Sequence, residues 1–267
     1  HYMLRQAIKG NYPAPLDQEQ TRNILDVGCG TGRWCIEMAQ AFPKAQIIGV
    51  DLERGENIGV ERPSNYQFVQ EDILKRGLPF ANDAFDFVHQ RLLIMGIPEI
   101  SWVSEIQEIM RVTRPGGFIE LLESGTTFVP AGPHTQQWCE WGRRISQPRG
   151  INPDSAPLLV QYARKAGLGD IEEHTFDLPV GDWGGQATGP AGRIGRMLQT
   201  NLIALYNGCI PLLQQLGVDD KTIQTMPQLL LKEWATMQTQ LRYFVVIGTK
   251  PAETRKLSGR GSASAWM

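Results

Sequence analysis

Apolar positions along the chain follow two rhythms. Short, nearly continuous apolar runs, the mark of strands covered on both faces, occur at 23–27 (NILDV), 46–50 (QIIGV), 66–69 (YQFV), 85–89 (FDFVH) and 117–123 (GFIELLE). Between them apolar residues recur at helical spacing. Residues 33–42 place Trp34, Met38 and Ala41 on one face and stop before Pro43, while 101–113 opens on Ser101 as a cap and stops before Arg114-Pro115-Gly116-Gly117. This alternation predicts a mostly parallel sheet with crossover helices on its faces. A further helix is expected at 154–166, ended by Gly167, then a strand at 171–178 and a last strand at 242–249. Residues 180–241 interrupt the pattern. They begin with the turn-like VGDWGGQATGPAG and continue as two or three helices over 192–215 and 221–241, a helical insertion. Met95, Met110, Met197, Met226 and Met237 read as gap-filling core residues. The predicted organisation is an N-terminal helix (Tyr2–Lys9) and connector over 1–20, a core over 21–179, the insertion over 180–241, a final core strand within 242–250 and a flexible Ser/Gly-rich tail over 251–267.

Composition narrows the function classes. A chain of 267 residues with 42% hydrophobic content can bury a large core. Its net charge of -2, without long blocks of either sign, provides no electrostatic footprint for nucleic acid or an anionic membrane and suits a small neutral or mixed-charge substrate. Cys29, Cys35, Cys139 and Cys209 lack CxxC spacing and a histidine-rich partner segment, so reduced thiols are expected, with no metal site and no disulfide framework. No run approaches the roughly 18 apolar residues of a membrane helix and no secretory signal opens the chain, which points to an intracellular protein, cytoplasmic or nuclear. Opening on His1 rather than methionine points to a trimmed start.

The chemistry concentrates in NILDVGCGTGRW, residues 23–34. A dinucleotide turn needs GxGxxG, and its third glycine position is held here by Arg33. Asp26 precedes the first glycine by two residues. An acid repels a phosphate but pairs with a cationic amino-acid end, such as the ammonium of S-adenosylmethionine (SAM). Asp51 ends the second strand, where a carboxylate can accept from both ribose hydroxyls, and Leu52 follows to pack on adenine. Glu71-Asp72-Ile73 follows the third strand with an acceptor for the adenine amine and an apolar cover. His89-Gln90 ends the fourth.

Together ILDVGCGTG, IIGVDL, EDI with LPF, FDFVHQRLL and TRPGGFIELLE resemble a class I SAM-dependent methyltransferase over about residues 20–125. GTGRWCIEMAQAFP, the H-x-R of His89 and Arg91, RPGGFIELLE and the upstream YPAPL are similar, more narrowly, to the fungal LaeA-like group. The resemblance implies an α/β Rossmann-like sheet of seven strands, the last antiparallel, with a helical lid. SAM would lie across the carboxyl ends of the first strands, with SAH as product. Asp26, Gly28, Cys29, Gly30 and Gly32 match the first motif, Asp51 and Leu52 the ribose position, and Asp72 and Ile73 the adenine position, with His89 and Gln90 at the end of the fourth strand. Arg33 and Trp34 depart from many members of the class.

For a hydroxyl acceptor His89 or His134 is the candidate base with Glu123 as orienter; an amine or thiolate needs no strong base. Trp138, Trp141 and Trp183 are candidates for an aromatic pocket under a lid formed by 124–150 and 180–241. Duller roles stand beside these: Asp51 as a helix cap, Asp72 as a loop acid, His89 as a satisfied structural residue, Arg91 paired with an acid or a carbonyl, Glu123 solvated or capping. The reading is a methyltransferase acting on a small molecule in fungal secondary metabolism, or, as the alternative, a LaeA-like regulator acting on or through a protein partner.

Overall fold

The computed structural model describes residues 1–55, 61–183 and 189–252. Its centre is one sheet built from β1 (Asn23–Val27), β2 (Gln46–Asp51), β3 (Tyr66–Gln70), β4 (Phe85–Arg91), β5 (Thr113–Val129), β6 (Gly169–Pro179) and β7 (Gln240–Thr249), in the order β3-β2-β1-β4-β5-β7-β6. The first five strands pair in parallel, and β7 runs antiparallel between β5 and β6. Strand order reverses between β1 and β4, so the chain leaving β1 emerges at the switch point where open α/β sheets hold ligands.

Each crossover is covered by a helix whose apolar stripe the sequence already shows. On one face α2 (Arg33–Ala41) buries Trp34 and Met38 against Phe87; on the other α4 (Trp102–Val112) and α6 (Leu159–Ala166) bury Ile106, Ile109 and Ala163 against Val88 and Val246. Gly167, with φ of 98°, ends α6, and the Leu168 N–H returns to the Ala163 carbonyl. The serine cap expected for α4 does not form: Glu99–Ser101 is already a 3-10 turn, and Ser101 instead accepts on its carbonyl from the Ser104 hydroxyl.

Residues 124–150 differ from the variable lid expected there. β5 continues to Val129 because β7 keeps pairing with it as far as Val129 and Gln240. After it comes α5 (Pro133–Ser146), opened by proline at a first position whose N–H would lack an intrahelical partner. The insertion forms α7 (Pro190–Gly208), α8 (Ile210–Gln215) and α9 (Asp220–Met237), which pack on one another and on α5 and β6. Two backbone N–H groups at the α5 N-terminus, His134 and Thr135, each donate at 2.9 Å to the Glu233 carboxylate of α9, tying this helix to the insertion. The short N-terminal α1 (Tyr2–Ala7) lies against α7. Of the expected core methionines Met226 is buried, whereas Met95, Met197 and Met237 stand more than a third exposed. The expected tail, from residue 253 on, and positions 184–188 of the turn-like stretch lie outside the described residues.

Candidate cofactor and acceptor site

The turn after β1 needs glycine for geometric reasons. Gly28 has φ of 69°, and a Cβ there would stand 2.5 Å from the Leu93 side chain. The Gly30 N–H donates to Asp51 Oδ2 at 2.7 Å, so the acid ending β2 holds the turn and is not a helix cap. Asp72 caps the short helix α3 (Ile73–Arg76), accepting from the Lys75 N–H at 3.3 Å and pairing with its ammonium at 2.8 Å. Gly28, Asp51, Leu52, Asp72, Ile73 and, from the chain after β4, Leu93 line one cleft. Acids and apolar side chains line it, with no basic side chain among the described residues. A phosphate would be repelled there, whereas an adenosine carrying a cationic amino-acid end finds acceptors for its hydroxyls and amines and apolar walls for its ring. Gln90, at the end of β4, does not line the cleft; its amide is fully buried, with neither atom hydrogen-bonded among the described residues.

Asp26, His89 and Glu120 form a row across the sheet, directly opposite one another on β1, β4 and β5. His89 Nδ1 lies 2.7 Å from Asp26 Oδ1, and the Cys35 thiol donates to Oδ2 at 3.3 Å. The imidazole stacks on Trp34 with centroids 4.0 Å apart. Burial lowers the His89 pKa against the pull of Asp26, and burial raises Glu120 to about 8. Asp26 therefore turns its carboxylate to His89 and Cys35, and it accepts a hydrogen bond from the Nδ1–H of the imidazole. Its acidic character serves the fold of the turn. Arg91, two residues on, donates to the His1 ring at 2.9 Å, and Glu37 of α2 pairs with Arg5 at 2.9 Å, fastening α1 over the start of α2.

A second hollow, of about 280 Å³, opens between the ends of β5 and β7 and helices α5 and α7. Its walls include Phe128, Trp138, Tyr243, Leu198 and Leu202. Cleft and hollow share a partition in the chain after β4: Leu93, Gly96 and Ile97 face the cleft, while Leu92, Ile94 and Met95 face the hollow. Glu123 secures this partition. Its side chain is fully buried, and its two oxygens accept from the Leu93 N–H at 2.8 Å and the Ile94 N–H at 3.1 Å. Burial pushes its pKa up to about 8 against those two donors.

The candidate residues thus separate. Gly28, Asp51, Leu52, Asp72 and Ile73 meet in the cleft, while Cys29, Gly30 and Gly32 stand in the turn beside it. His89 is turned to Asp26 and to Trp34 of α2, His134 sits at the α5 N-terminus away from both hollows, and Glu123 is neither solvated nor capping. Of the three tryptophans only Trp138 borders the hollow; Trp141 is core, and the Trp183 indole donates to the Thr239 carbonyl at 3.2 Å. Sequence reasoning missed Phe128, Tyr243 and the partition. The Leu198, Leu202, Leu205 spacing of α7 was a legible stripe, but its partner was not.

Residues 24–117 match the family model for a methyltransferase domain. The chain is 31% identical over 177 residues to the methyltransferase pytC of Aspergillus terreus, covering 64% of this chain and 52% of that one. It is 29% identical over 180 residues to the secondary metabolism regulator LAE1 of Cochliobolus heterostrophus, covering 64% and 57%. It therefore spans about half the length of these curated relatives. Among solved structures, a phosphoethanolamine N-methyltransferase 2 of Haemonchus contortus in complex with S-adenosylhomocysteine shares the fold, with a TM-score of 0.56 at 17% identity over 94% of this chain and 53% of that one. A sheet reversing order at β1, an antiparallel β7, a glycine turn tied to the acid ending β2 and the match over 24–117 lead to one conclusion. Residues 24–117 match a methyltransferase domain, and the chain has the class I methyltransferase fold and resembles the fungal LaeA-like group.

Proposed function

We propose that this protein transfers the methyl group of SAM to a small-molecule acceptor of fungal secondary metabolism, held in the hollow between β5, β7, α5 and α7. The observation that carries the reading is the shared partition, which puts an apolar, ligand-sized hollow directly beside the nucleotide cleft. SAM supplies an electrophilic methyl group, so the work of the chain is to bind, align and exclude water. In this reading Asp51 accepts from the ribose hydroxyls with Leu52, Ile73 and Leu93 on the adenosine, and the insertion helices close the acceptor side. The relatives include both a methyltransferase and a regulator; the apolar hollow beside the cleft supports the enzyme reading, since action through a protein partner would not need one. The test is calorimetry of SAH on the full chain and on Asp51→Ala, followed by mass spectrometry of candidate metabolites incubated with labelled SAM. Loss of SAH affinity in the variant and a labelled product are expected. Unchanged affinity would place the ribose elsewhere, and no labelled product from any metabolite would sink the enzyme reading.

A further inference from the structure

Resting on the acceptor site assigned above, we propose that the molecule methylated there is a compact, apolar amine bound as the neutral base, whose nitrogen attacks without a side chain removing its proton. The chemistry of the walls carries this. Among the described residues no Asp, Glu, His, Lys or Arg borders the hollow. The titratable groups that do are Cys139, Cys209 and Tyr243. Burial holds the Cys139 thiol at about 11 and the Tyr243 phenol at about 12, and it raises Cys209 as well, so none is a base near neutrality. The candidates from elsewhere are committed: His89 to Asp26, and Glu123 to two backbone N–H groups. A hydroxyl acceptor would find, among the described residues that border the hollow, no group to take its proton.

A carboxylate or enolate acceptor fares no better. An anion buried among apolar walls needs a cation or several donors. Arg143, beside the hollow on α5, is turned into ion pairs with Asp154 and Glu140, the Thr126 and Ser124 hydroxyls of the wall are bonded to Asp154 and Tyr243, and the Asn201 amide that also borders the hollow is neutral. A neutral amine fits on both counts, entering uncharged and gaining its charge only in the reaction. The nitrogen lone pair forms the N–C bond as the C–S bond breaks, its electron pair stays on sulfur, and the sulfonium charge becomes an ammonium charge. Any N–H proton then leaves to water after release. Phe128, Trp138 and Tyr243 border the volume where that charge develops, and aromatic rings attract a cation most strongly where water is excluded. The size agrees: about 280 Å³ is near the lower end of ligand pockets, which start at roughly 300 Å³.

The test uses the full chain saturated with SAH and three probes that share the naphthalene ring, measured by calorimetry: neutral 1-naphthylamine, anionic 1-naphthoate and cationic trimethyl(1-naphthyl)ammonium. The amine should bind about tenfold or more tighter than the naphthoate, and Trp138→Leu should weaken the cation about tenfold while weakening the amine less. Phe128→Leu serves the same comparison if the tryptophan variant does not fold by circular dichroism. Naphthoate binding as tightly as the amine, a cation indifferent to both substitutions, or failure of all three probes would overturn the proposal. Absence of SAH binding would instead overturn the cofactor reading on which it rests. If SAH binds while naphthoate is preferred, only the present inference falls.

Discussion

Glu123→Gln tests the clamp on the partition between cleft and hollow by its pH dependence. In the folded chain Glu123 ionises near 8, against 4.5 for an ordinary glutamate, because burial disfavours the carboxylate more than the Leu93 and Ile94 N–H groups favour it. A folded pKa above the unfolded one contributes stability that is complete below 4.5 and is lost as pH rises through 8. At about 1.4 kcal/mol per unit the full loss is on the order of 5 kcal/mol, of which roughly half falls between pH 5 and pH 7. Glutamine does not titrate. It keeps one acceptor oxygen for two N–H donors, a roughly pH-independent cost of about 1–3 kcal/mol. The slope is therefore the prediction: relative to the variant, the wild type should lose about 2–3 kcal/mol from pH 5 to pH 7 in urea unfolding. Taking the difference removes Glu120, whose raised pKa acts in the same direction, and His89, whose lowered pKa contributes stability above its unfolded value that is lost as pH falls. A difference constant with pH, or one favouring the wild type as pH rises, would refute the reasoning and show that the two donors outweigh burial.

Other substitutions probe the neighbouring parts. Gly28→Ala must hold a Cβ at φ of 69° against Leu93 and should cost about 1–3 kcal/mol and weaken SAH binding; Leu93→Ala added to it should recover part of the SAH affinity by calorimetry, and no recovery would deny the contact. His89→Ala strands the buried Asp26 carboxylate and removes the Trp34 stack, for a loss of about 3–5 kcal/mol in denaturant unfolding; a small loss would mean the pair is not buried as described. Leu198→Ala removes a buried wall of the hollow and should cost about 2–5 kcal/mol while leaving SAH affinity unchanged and admitting larger acceptors, so a fall in SAH affinity would contradict the separation of the two sites.

Much of this architecture could be read along the chain because it is written in local terms. The apolar runs of β1 to β4, the stripe of α2, the stop at Gly167 and the GxGxG turn with Asp51 one strand later depend on neighbours within a few residues or on one crossover. Periodicity and turn chemistry report such features directly. What escaped is what depends on pairings across long stretches of sequence. β5 extends to Val129 only because β7, more than 110 residues later, pairs with it, and α5 is tied down by Glu233, 98 residues from Thr135. The same holds for the acids: in sequence Asp26 is a motif residue and Glu123 a candidate orienter, and nothing local reveals that one faces His89 and the other holds two amides. Strand alternation specifies that a side chain is on a face, whereas the sheet order specifies what shares that face. By itself, then, the sequence determined the fold class and the cleft that suits SAM, whose recognition lies within successive strand ends. Only the tertiary structure decided the acceptor side, because its walls come from β5, β7, α5 and α7 and meet only when the insertion closes over the end of the sheet.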